Sequence, residues 1–536
     1  MPRWICLVLN KQCLASVYQS KSKWFCSIKI MVLKRLDRWL LCRNNQFRGV
    51  EYFMKKYKSL GVNAFLNAFK SGLSVLFPLV TYPYAYRILH AEGIGRVDYA
   101  TSIVNYFTMI AALGITTYAV REGSKIRERK SDFEVFSNQI FSFNVITTVL
   151  TYIFLAVFLV FFSQTQEYGG LITLLSLSIV FTSLGVEWIN TIYEDYLYIT
   201  VRSVVIHVVT LILLFILVRD ENDYYFYAFL TVITNGIICL TNLVYCRRYV
   251  KLRFTFKINL SRHISPILLL FANSVATTIY VSADTTMLGW TVGEQAVGFY
   301  SIASKVYGVV KRMLVAMYSV AISRISFYVG QGDTDNIRRT YTKLLSNLTL
   351  VLIPASVGLI SISREIIVFM GGQEYFEAIP TLQILSISLI GAIFGGAVTY
   401  CLNIPLGRER INVMATVLSA IINIGLNIVF IPLLRQNGAA ITTAISEFFV
   451  FIFCFVSFKN KREYIDFPVW RKNIFHSLIG VALIVIITYL VRLITSNPYL
   501  VLIFVISFSV LAYFGALLAL KNDFVLGLAK KIKSRF

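Results

Sequence analysis

The sequence has little charge and few of the groups that build catalytic or metal sites. Only 15% of its 536 residues are charged, against about 25% in soluble domains. Its histidines are dispersed without ligand spacing, and no P-loop is present. The four histidines are His90, His207, His263 and His476. These absences exclude a soluble fold and ATP hydrolysis by this chain, and we predict no catalytic residue, metal or cofactor.

Cysteines are also few, and their positions form neither a metal site nor a disulfide framework. Half of the eight lie in the first 53 residues and the rest are scattered near apolar segments. Residues 1–53 are basic and contain no apolar run long enough to span a membrane. Met54 is followed by three lysines and then by the first apolar run, which is an ordinary start for an inner-membrane protein. We therefore expect 1–53 to be an atypical basic extension, either a misassigned start or a disordered cytoplasmic segment.

Long apolar runs dominate the remainder of the chain. Hydrophobic residues make up 57% of the sequence, mean hydropathy is +0.69, and run after run reaches the roughly 20 residues that a bilayer core requires. The pattern predicts an all-α polytopic membrane protein with about fourteen transmembrane helices. The predicted spans are 60–85, 97–119, 138–162, 170–190, 196–218, 224–246, 264–290, 296–321, 344–370, 378–402, 411–433, 438–458, 474–494 and 499–520.

The formal charge of +24 is concentrated in alternate loops between these runs. Residues 121–130, 247–257, 338–343, 459–472 and 530–535 are rich in Lys and Arg, whereas 163–169, 291–295 and 371–377 contain none. This is the positive-inside distribution of a membrane protein, and it excludes a nucleic-acid partner. It predicts that both termini are cytoplasmic and that the number of spans is even.

The stretch from Asn63 to Val120 has a second copy that begins near Pro266. When Ile94-Gly95 is laid on Val297-Gly298, hydropathy, turn position and a polar stripe recur, although identity is low. Six helices separate the copies, so they have the same orientation and form parallel repeats with a substrate site expected between them. We predict a six-helix bundle at 54–258, a second at 259–460, and two extra helices with a basic tail at 461–536.

Polar side chains recur on one face of the first two helices in each repeat. The lumen candidates on these faces are Asn67, Lys70, Asn105, Tyr280, Lys305 and Arg312. Lys70 and Lys305 are about three turns from either membrane surface, where a cation usually faces a cavity or a partner, so we predict anion binding. Helix packing is the alternative for the uncharged residues, and positive-inside anchoring is the alternative for Arg312.

Two carboxylates at span depth are candidates for ion coupling. Asp284 lies near the predicted external end of its helix, where it could instead pair with a lumenal cation or be interfacial. Glu447 lies at mid-depth, where a carboxylate must be paired or protonated. A third acidic region follows the fourth predicted span, and there we expect Glu194 or Asp195 to pair with Arg202.

Three segments of the chain are similar to a known family. They are Tyr82-Pro-Tyr-Ala-Tyr-Arg-Ile-Leu-His-Ala-Glu-Gly-Ile-Gly-Arg-Val-Asp-Tyr-Ala100, Glu187-Trp188 to Arg202, and Asp284-Thr-Thr-Met-Leu-Gly289 with Val297-Gly-Phe-Tyr-Ser-Ile-Ala303. Over about residues 55–520 the chain resembles the Wzx-type polysaccharide flippases, which transport O-antigen and capsule repeat units. They belong to the multidrug/oligosaccharidyl-lipid/polysaccharide exporter superfamily.

The resemblance implies a V-shaped 6+6 pair of bundles in the bacterial inner membrane. Such a protein moves an undecaprenyl-diphosphate-linked oligosaccharide to the outer leaflet, coupled to a proton or sodium gradient. Lys70, Lys305 and Arg312 would meet the diphosphate, and Asn67, Asn105 and Tyr280 the sugar hydroxyls. Besides membrane lipids, expected partners are a polysaccharide polymerase and a chain-length regulator. The alternatives are a multidrug/cation antiporter, a lipid II flippase, and a membrane polysaccharide polymerase.

Overall fold

The computed structural model describes residues 60–162, 165–257, 260–458 and 460–527. The predicted extension 1–53 and the basic tail 528–536 lie outside these residues. Some side chains within the helices, among them those of Asn67, Lys70 and Asn273, are also outside the described part of the structure. The chain divides into two compact units, Met1–Asn63 and Ala64–Phe536, and nearly all of the described residues belong to the second.

The described part of the chain is all-α, as predicted, and contains no strand. Helices are the expected outcome in lipid, because each satisfies its own backbone hydrogen bonds. The helices are α1 Leu60–Ala112, α2 Ile115–Ile126, α3 Lys130–Phe161, α4 Gly169–Leu184, α5 Glu187–Ile192, α6 Tyr196–Leu217, α7 Tyr224–Tyr245, α8 Leu260–Thr291, α9 Glu294–Gln331, α10 Thr334–Ser361, α11 Ser363–Gly371, α12 Ala378–Val398, α13 Glu409–Leu434, α14 Gln436–Val456, α15 Lys461–Tyr464, α16 Phe467–Ile494 and α17 Pro498–Ala519.

Twelve helical stretches among the described residues are long and apolar enough to cross a membrane. The predicted count of fourteen is therefore not confirmed. Part of the difference lies in α1, because the first two predicted spans, 60–85 and 97–119, meet at a kink within it and the stretch Phe77–Ile126 is counted once. The seventh predicted span, which corresponds to α8, is not among the twelve.

A kink at His90 divides α1 where the sequence predicts a turn. The backbone there has φ 57° and ψ 179°, a left-handed φ that is uncommon outside glycine. In the second repeat the aligned position is Gly293, between α8 and α9, and it also has a positive φ of 112°. The two repeats thus reverse direction at equivalent positions, once through a strained histidine and once through glycine.

The two C-terminal helices pack against the second half of the chain. The Trp470 indole of α16 donates to Thr349 of α10 (2.8 Å), and the Tyr513 hydroxyl of α17 donates to the carbonyl of Leu350 (2.7 Å). Arg492 of α16 pairs with Glu365 of α11 at 2.9 Å. The predicted bundle boundary at 258/259 falls in residues that are not described, so the domain limits stay predictions.

Candidate functional site

Helix α9 carries side chains that contact carboxylates from three other helices. These are Asp98 of α1, Asp284 of α8 and Glu447 of α14. All three contacts involve residues of the first five turns of α9. Because α9 belongs to the second repeat and α1 to the first, the helix lies at the boundary between the two.

The contact between the repeats is an ion pair with a polar surround. Lys305 Nζ lies 3.5 Å from Asp98 Oδ1, and the two side chains are 35% and 19% exposed. The Ser301 hydroxyl, one turn away, donates to Asp98 Oδ2 and lies 2.7 Å from the Tyr86 hydroxyl. Lys305 Nζ also lies 5.7 Å from the centre of the Tyr82 ring. A carboxylate of one repeat thus holds the predicted anion-binding lysine of the other.

The turns of the two repeats interlock beside this pair. A side chain at Gly95 would overlap the carbonyl oxygen of Glu294, and one at Gly298 would overlap the carbonyl oxygen of Ala91. Gly95 aligns with Gly298 and Ala91 with Glu294, so the two contacts are the same contact seen from either repeat. Only glycine permits so close an approach of two backbones.

A further carboxylate, that of Glu374, joins the two halves at the end that the loop charges predict to be external. Glu374, from the segment between α11 and α12, accepts a hydrogen bond from the backbone N–H of Ala91 (2.9 Å) and contacts His90 Nδ1 at 2.5 Å. Glu374 thereby caps the helical segment that follows the kink, where a negative charge is favourable. Arg87 donates to the carbonyls of Val368 (3.2 Å) and Phe369 (2.9 Å). The halves are therefore joined at this end.

Asp284 is buried among uncharged donors within the second half of the chain. It accepts hydrogen bonds from Tyr300 (2.7 Å) and from Asn427 (2.7 Å), and also from the Thr443 hydroxyl. Asn423 lies 3.3 Å from Asn427. Among the described residues no Lys, Arg or His pairs with Asp284, although it is only 3% exposed. The oxygens of these side chains could also surround a small cation or share a proton.

Glu447 differs because its charge has a partner. Lys311 Nζ lies 2.6 Å from Glu447 Oε1, and the Tyr307 hydroxyl donates to the same oxygen at 3.2 Å. Tyr280, a predicted sugar contact, lies close to Glu447, and its hydroxyl is buried. This cluster lies between α8, α9 and α14.

The structure brings only part of the predicted site together. Lys305 and Arg312 are two turns apart on α9, and Arg312 is exposed. Asn105 is also exposed and makes no hydrogen bond within the described residues. The side chains of Asn67 and Lys70 lie outside the described part.

The expected pairing of Arg202 with Glu194 or Asp195 is wrong. Arg202 pairs instead with Glu187, the first residue of α5, at 3.0 Å. Glu194 instead pairs with Arg127 at 2.9 Å. Asp195 accepts from the hydroxyls of Tyr245 (2.5 Å) and Tyr249 (2.9 Å). Burial, and then the nearby Asp195 charge, raises the pKa of Tyr249.

Sequence reasoning missed two partners in these clusters. Asp98 was recognisable as part of a polar stripe, but its pairing with Lys305 depends on how closely the two repeats approach. The sequence feature that pointed to Asp98 was its alignment with Ser301. Equivalent residues that contact each other lie near the axis that relates the repeats. Lys311 could have been matched to Glu447, since a carboxylate at mid-depth needs a cation.

Comparisons with known proteins agree with this architecture. The chain is 23% identical over 412 residues to the "Putative O-antigen transporter" of Escherichia coli (strain K12), covering 75% of this chain and 98% of the relative. It is 25% identical over 178 residues to the "Probable low-salt glycan biosynthesis flippase Agl15" of Haloferax volcanii, covering 32% of this chain and 37% of the relative.

Solved structures show the same fold. "Lipid II flippase MurJ, inward closed conformation" superposes with a TM-score of 0.71 at 16% identity, over 86% of this chain and 100% of that one. The inward-facing conformation of a multidrug resistance MATE family transporter superposes with a TM-score of 0.54 at 15% identity. The match covers 72% of this chain and 94% of that one. Both neighbours have the 6+6 arrangement that the repeat predicts.

Two family descriptions match the sequence itself. The MatE description matches residues 270–429. The description "Polysaccharide biosynthesis protein" matches residues 60–329, half of the chain, and this match includes both interlocked turns and the Asp98–Lys305 pair. The chain is therefore a polytopic membrane protein that belongs to the polysaccharide biosynthesis protein family.

Proposed function

We propose that this chain is a flippase for undecaprenyl-diphosphate-linked oligosaccharide, which it moves from the cytoplasmic to the outer leaflet of the inner membrane. The product would supply O-antigen, capsule or exopolysaccharide synthesis. The names of the O-antigen and glycan-flippase relatives support this function. The observation that carries it is Lys305, a membrane-depth cation at the boundary between the repeats that is held by a carboxylate of the other repeat.

The chemistry of the substrate fits this position. An isolated cation at membrane depth is costly, so Lys305 needs an anion whenever the site is closed to water. Asp98 serves that purpose here, and the diphosphate of the substrate would replace it. Arg312, exposed two turns along α9, would meet the second phosphate through the forked hydrogen bonds of its guanidinium group. Lys70 remains a proposed third cation.

Replacement of Asp98 would link substrate binding to movement of the repeats. Asp98 also accepts a hydrogen bond from Ser301. If the diphosphate binds Lys305, Asp98 loses its ion pair with that lysine and keeps only its hydrogen-bond partner at the contact between the repeats. The ion pair that helps to hold the repeats together would then be lost when the substrate is bound. Alternating access by movement of one repeat against the other would follow.

For ion coupling we propose Asp284 rather than Glu447. Glu447 is already neutralised by Lys311, whereas Asp284 is surrounded only by uncharged donors among the described residues. A proton or a sodium ion would balance its charge. Tyr300, which donates to Asp284, directly precedes Ser301 in α9, so occupancy of Asp284 can influence the contact between the repeats.

The distribution of lipid-linked oligosaccharide across the membrane tests the function. We expect depletion of the protein to trap the oligosaccharide where a membrane-impermeant sugar probe, applied to right-side-out vesicles, cannot reach it. Re-expression should restore access. Normal exposure without polymerisation would instead indicate the polymerase, and no change in any lipid-linked sugar would indicate the multidrug/cation antiporter. Trapped lipid II would indicate the lipid II flippase. A polymerase and a chain-length regulator remain proposed partners.

A further inference from the structure

The segment that joins the two halves has an unusual surface. Residues 247–257, Arg-Arg-Tyr-Val-Lys-Leu-Arg-Phe-Thr-Phe-Lys, are named the basic–aromatic linker here; they contain five cations and no acidic residue. Phe256 is 86% exposed, more than any other large hydrophobic side chain in the described part of the chain, and Phe254 is 45% exposed. Their rings meet edge to face at 4.9 Å.

The exposed phenylalanines belong to a segment that is fixed in place. Its backbone is hydrogen-bonded to side chains of α3, through Arg253 N to Asn138 (2.8 Å), Thr255 N to Ser142 (2.7 Å) and Gln139 to the carbonyl of Lys257 (3.1 Å). Val250 is buried and Leu252 packs beside it in the apolar cluster near α2 and α5. Tyr249 stacks on Tyr193 at 4.2 Å. The exposure of the two rings is therefore a property of the fold.

The attachment to α3 also fixes the depth of the linker. The first ten residues of α3, 130–139, are largely polar, whereas the remainder of the helix, Ile140–Phe161, contains no charged residue. The linker lies beside Asn138, Gln139 and Ser142, where this change occurs. A helix changes in this way at the boundary between water and lipid, which is also where aromatic side chains concentrate.

Three cations of the linker differ from those of the basic segment 121–127 in having no acidic partner in the described part of the chain. At the end of α2, Arg121 and Lys125 contact Glu122, and Arg127, the residue after the helix, contacts Glu194. In the described residues, no carboxylate pairs with Lys251, Arg253 or Lys257, and all three are exposed. Their charge is therefore available to an external anion.

We propose that the basic–aromatic linker is a docking site for anionic phospholipid headgroups. Phe254 and Phe256 enter the boundary of the acyl chains, and Lys251, Arg253 and Lys257 meet the lipid phosphates beside them. Each cation near an anionic membrane surface contributes about 1 kcal/mol, and the two rings anchor the segment at one depth. The combination of unpaired cations, exposed rings and interfacial depth favours an anionic lipid surface over a protein or a free phosphate.

Quenching by brominated lipids tests the proposal on the full chain. Phe256→Trp would be reconstituted in phosphatidylcholine vesicles containing phosphatidylglycerol, with bromine on one lipid at a time, and the signal of the chain without this substitution subtracted. We expect brominated phosphatidylglycerol to quench more strongly than the same mole fraction of brominated phosphatidylcholine. The same measurement is made with Lys251→Gln, Arg253→Gln and Lys257→Gln added to Phe256→Trp. We expect the preference for phosphatidylglycerol over phosphatidylcholine to fall about fivefold for each cation removed.

A matched control removes equal charge elsewhere. Lys343→Gln/Arg471→Gln/Lys472→Gln takes three exposed cations from two other basic segments, 338–343 and 459–472, and should keep the preference. High salt should weaken the preference in the chain with an intact linker, which tests the proposal even if the triple linker variant fails to insert. Equal quenching by both lipids would overturn the proposal, because the linker would then be an anchor without headgroup recognition. Absence of quenching by either lipid would place the linker away from the membrane and favour a protein partner.

Discussion

The ammonium group of Lys305 and the carboxylate of Asp98 come from different repeats, so their ion pair exists only while the repeats touch. Lys305 is also the residue that we propose for the substrate diphosphate. One side chain therefore has two competing anionic partners, one within the protein and one in the substrate. The strength of the Asp98 ion pair therefore controls how readily Lys305 binds the diphosphate, and the affinity for the diphosphate controls how readily Asp98 is displaced.

Substitution of Lys305 should separate charge from structure. Lys305→Ala removes a charge-assisted contact to the diphosphate, of about 1.5–3 kcal/mol, so we expect transport to fall roughly 10- to 100-fold. Lys305→Arg keeps the charge and should retain part of the activity. The measurement is the rate at which lipid-linked oligosaccharide becomes accessible to the impermeant probe, with the amount of inserted protein measured in parallel. Full activity of the alanine variant would remove Lys305 from the site.

Asp284 should determine the response to an ion gradient. Asp284→Asn keeps the size of the side chain and can still accept from Tyr300 and Thr443, but it loses the charge that a proton or sodium ion would balance. We expect the variant to transport at the rate of the unmodified chain measured without a gradient. Transport in vesicles with imposed proton or sodium gradients provides the comparison. Undiminished stimulation by both gradients in the variant would exclude Asp284 as the coupling residue.

The charged residues show what sequence alone can predict at this scale. Lys305, Asp284 and Glu447 were identifiable because a charge inside an apolar run requires an explanation. Their partners were harder to find, because Asp98 and Lys311 meet them only after helices from distant parts of the chain have packed. The Arg202 prediction failed for the same reason, since the nearest carboxylate in sequence was not the nearest in space.

At the scale of the elements, the two turns after the first helix of each repeat form the contact that joins the halves. The turns were predictable from short polar breaks in the hydropathy, and both occur where expected, at His90 and Gly293. Their interlocking was not predictable, because it depends on how closely two backbones approach. The kink at His90 explains why hydropathy divided α1 into two spans.

Enlarging either glycine at the contact should push the turns apart. In Gly95→Ala or Gly298→Ala the new methyl group would overlap a backbone carbonyl, at a cost of about 1–3 kcal/mol. We expect both variants to weaken the joined state to a similar degree, because the two sites are equivalent. Gly308→Ala and Gly425→Ala, which have open space around them, are the controls. Thermal unfolding and transport rate would be measured for all four, and unequal loss at Gly95 and Gly298 would contradict the equivalence.

At the scale of the whole molecule, the observed state is joined at the end that the loop charges predict to be external. Contacts of Glu374 with His90 and Ala91, of Arg87 with two carbonyls, and of the interlocked turns all lie there. The 6+6 organisation could be predicted from the repeat, because duplicated hydropathy fixes the order and orientation of the helices. The conformation could not be predicted, because the hydropathy pattern does not determine which contacts between the repeats are formed.

Removal of the Glu374 carboxylate should shift the molecule toward a state open at that end. Glu374→Ala leaves the Ala91 N–H and the helix end without their acceptor, and loss of a helix cap costs about 0.5–2 kcal/mol. We expect a cysteine placed by Asn105→Cys to react faster with an impermeant thiol reagent from outside. Glu377→Ala is the control in the same segment. The chain without Asn105→Cys corrects for native cysteines, of which the described ones are buried, and an unchanged rate would exclude this role for Glu374.

The paired glycine contacts also bear on how the chain arose. A contact in which position a touches position b of the other copy, while b touches a, is the defining property of an isologous dimer interface. Two unfused copies of an ancestral half could therefore have met through the same turns before duplication joined them in one gene. In the present chain the two sides of the contact differ, since the second copy has Gly293 where the first has His90 and its Glu374 partner.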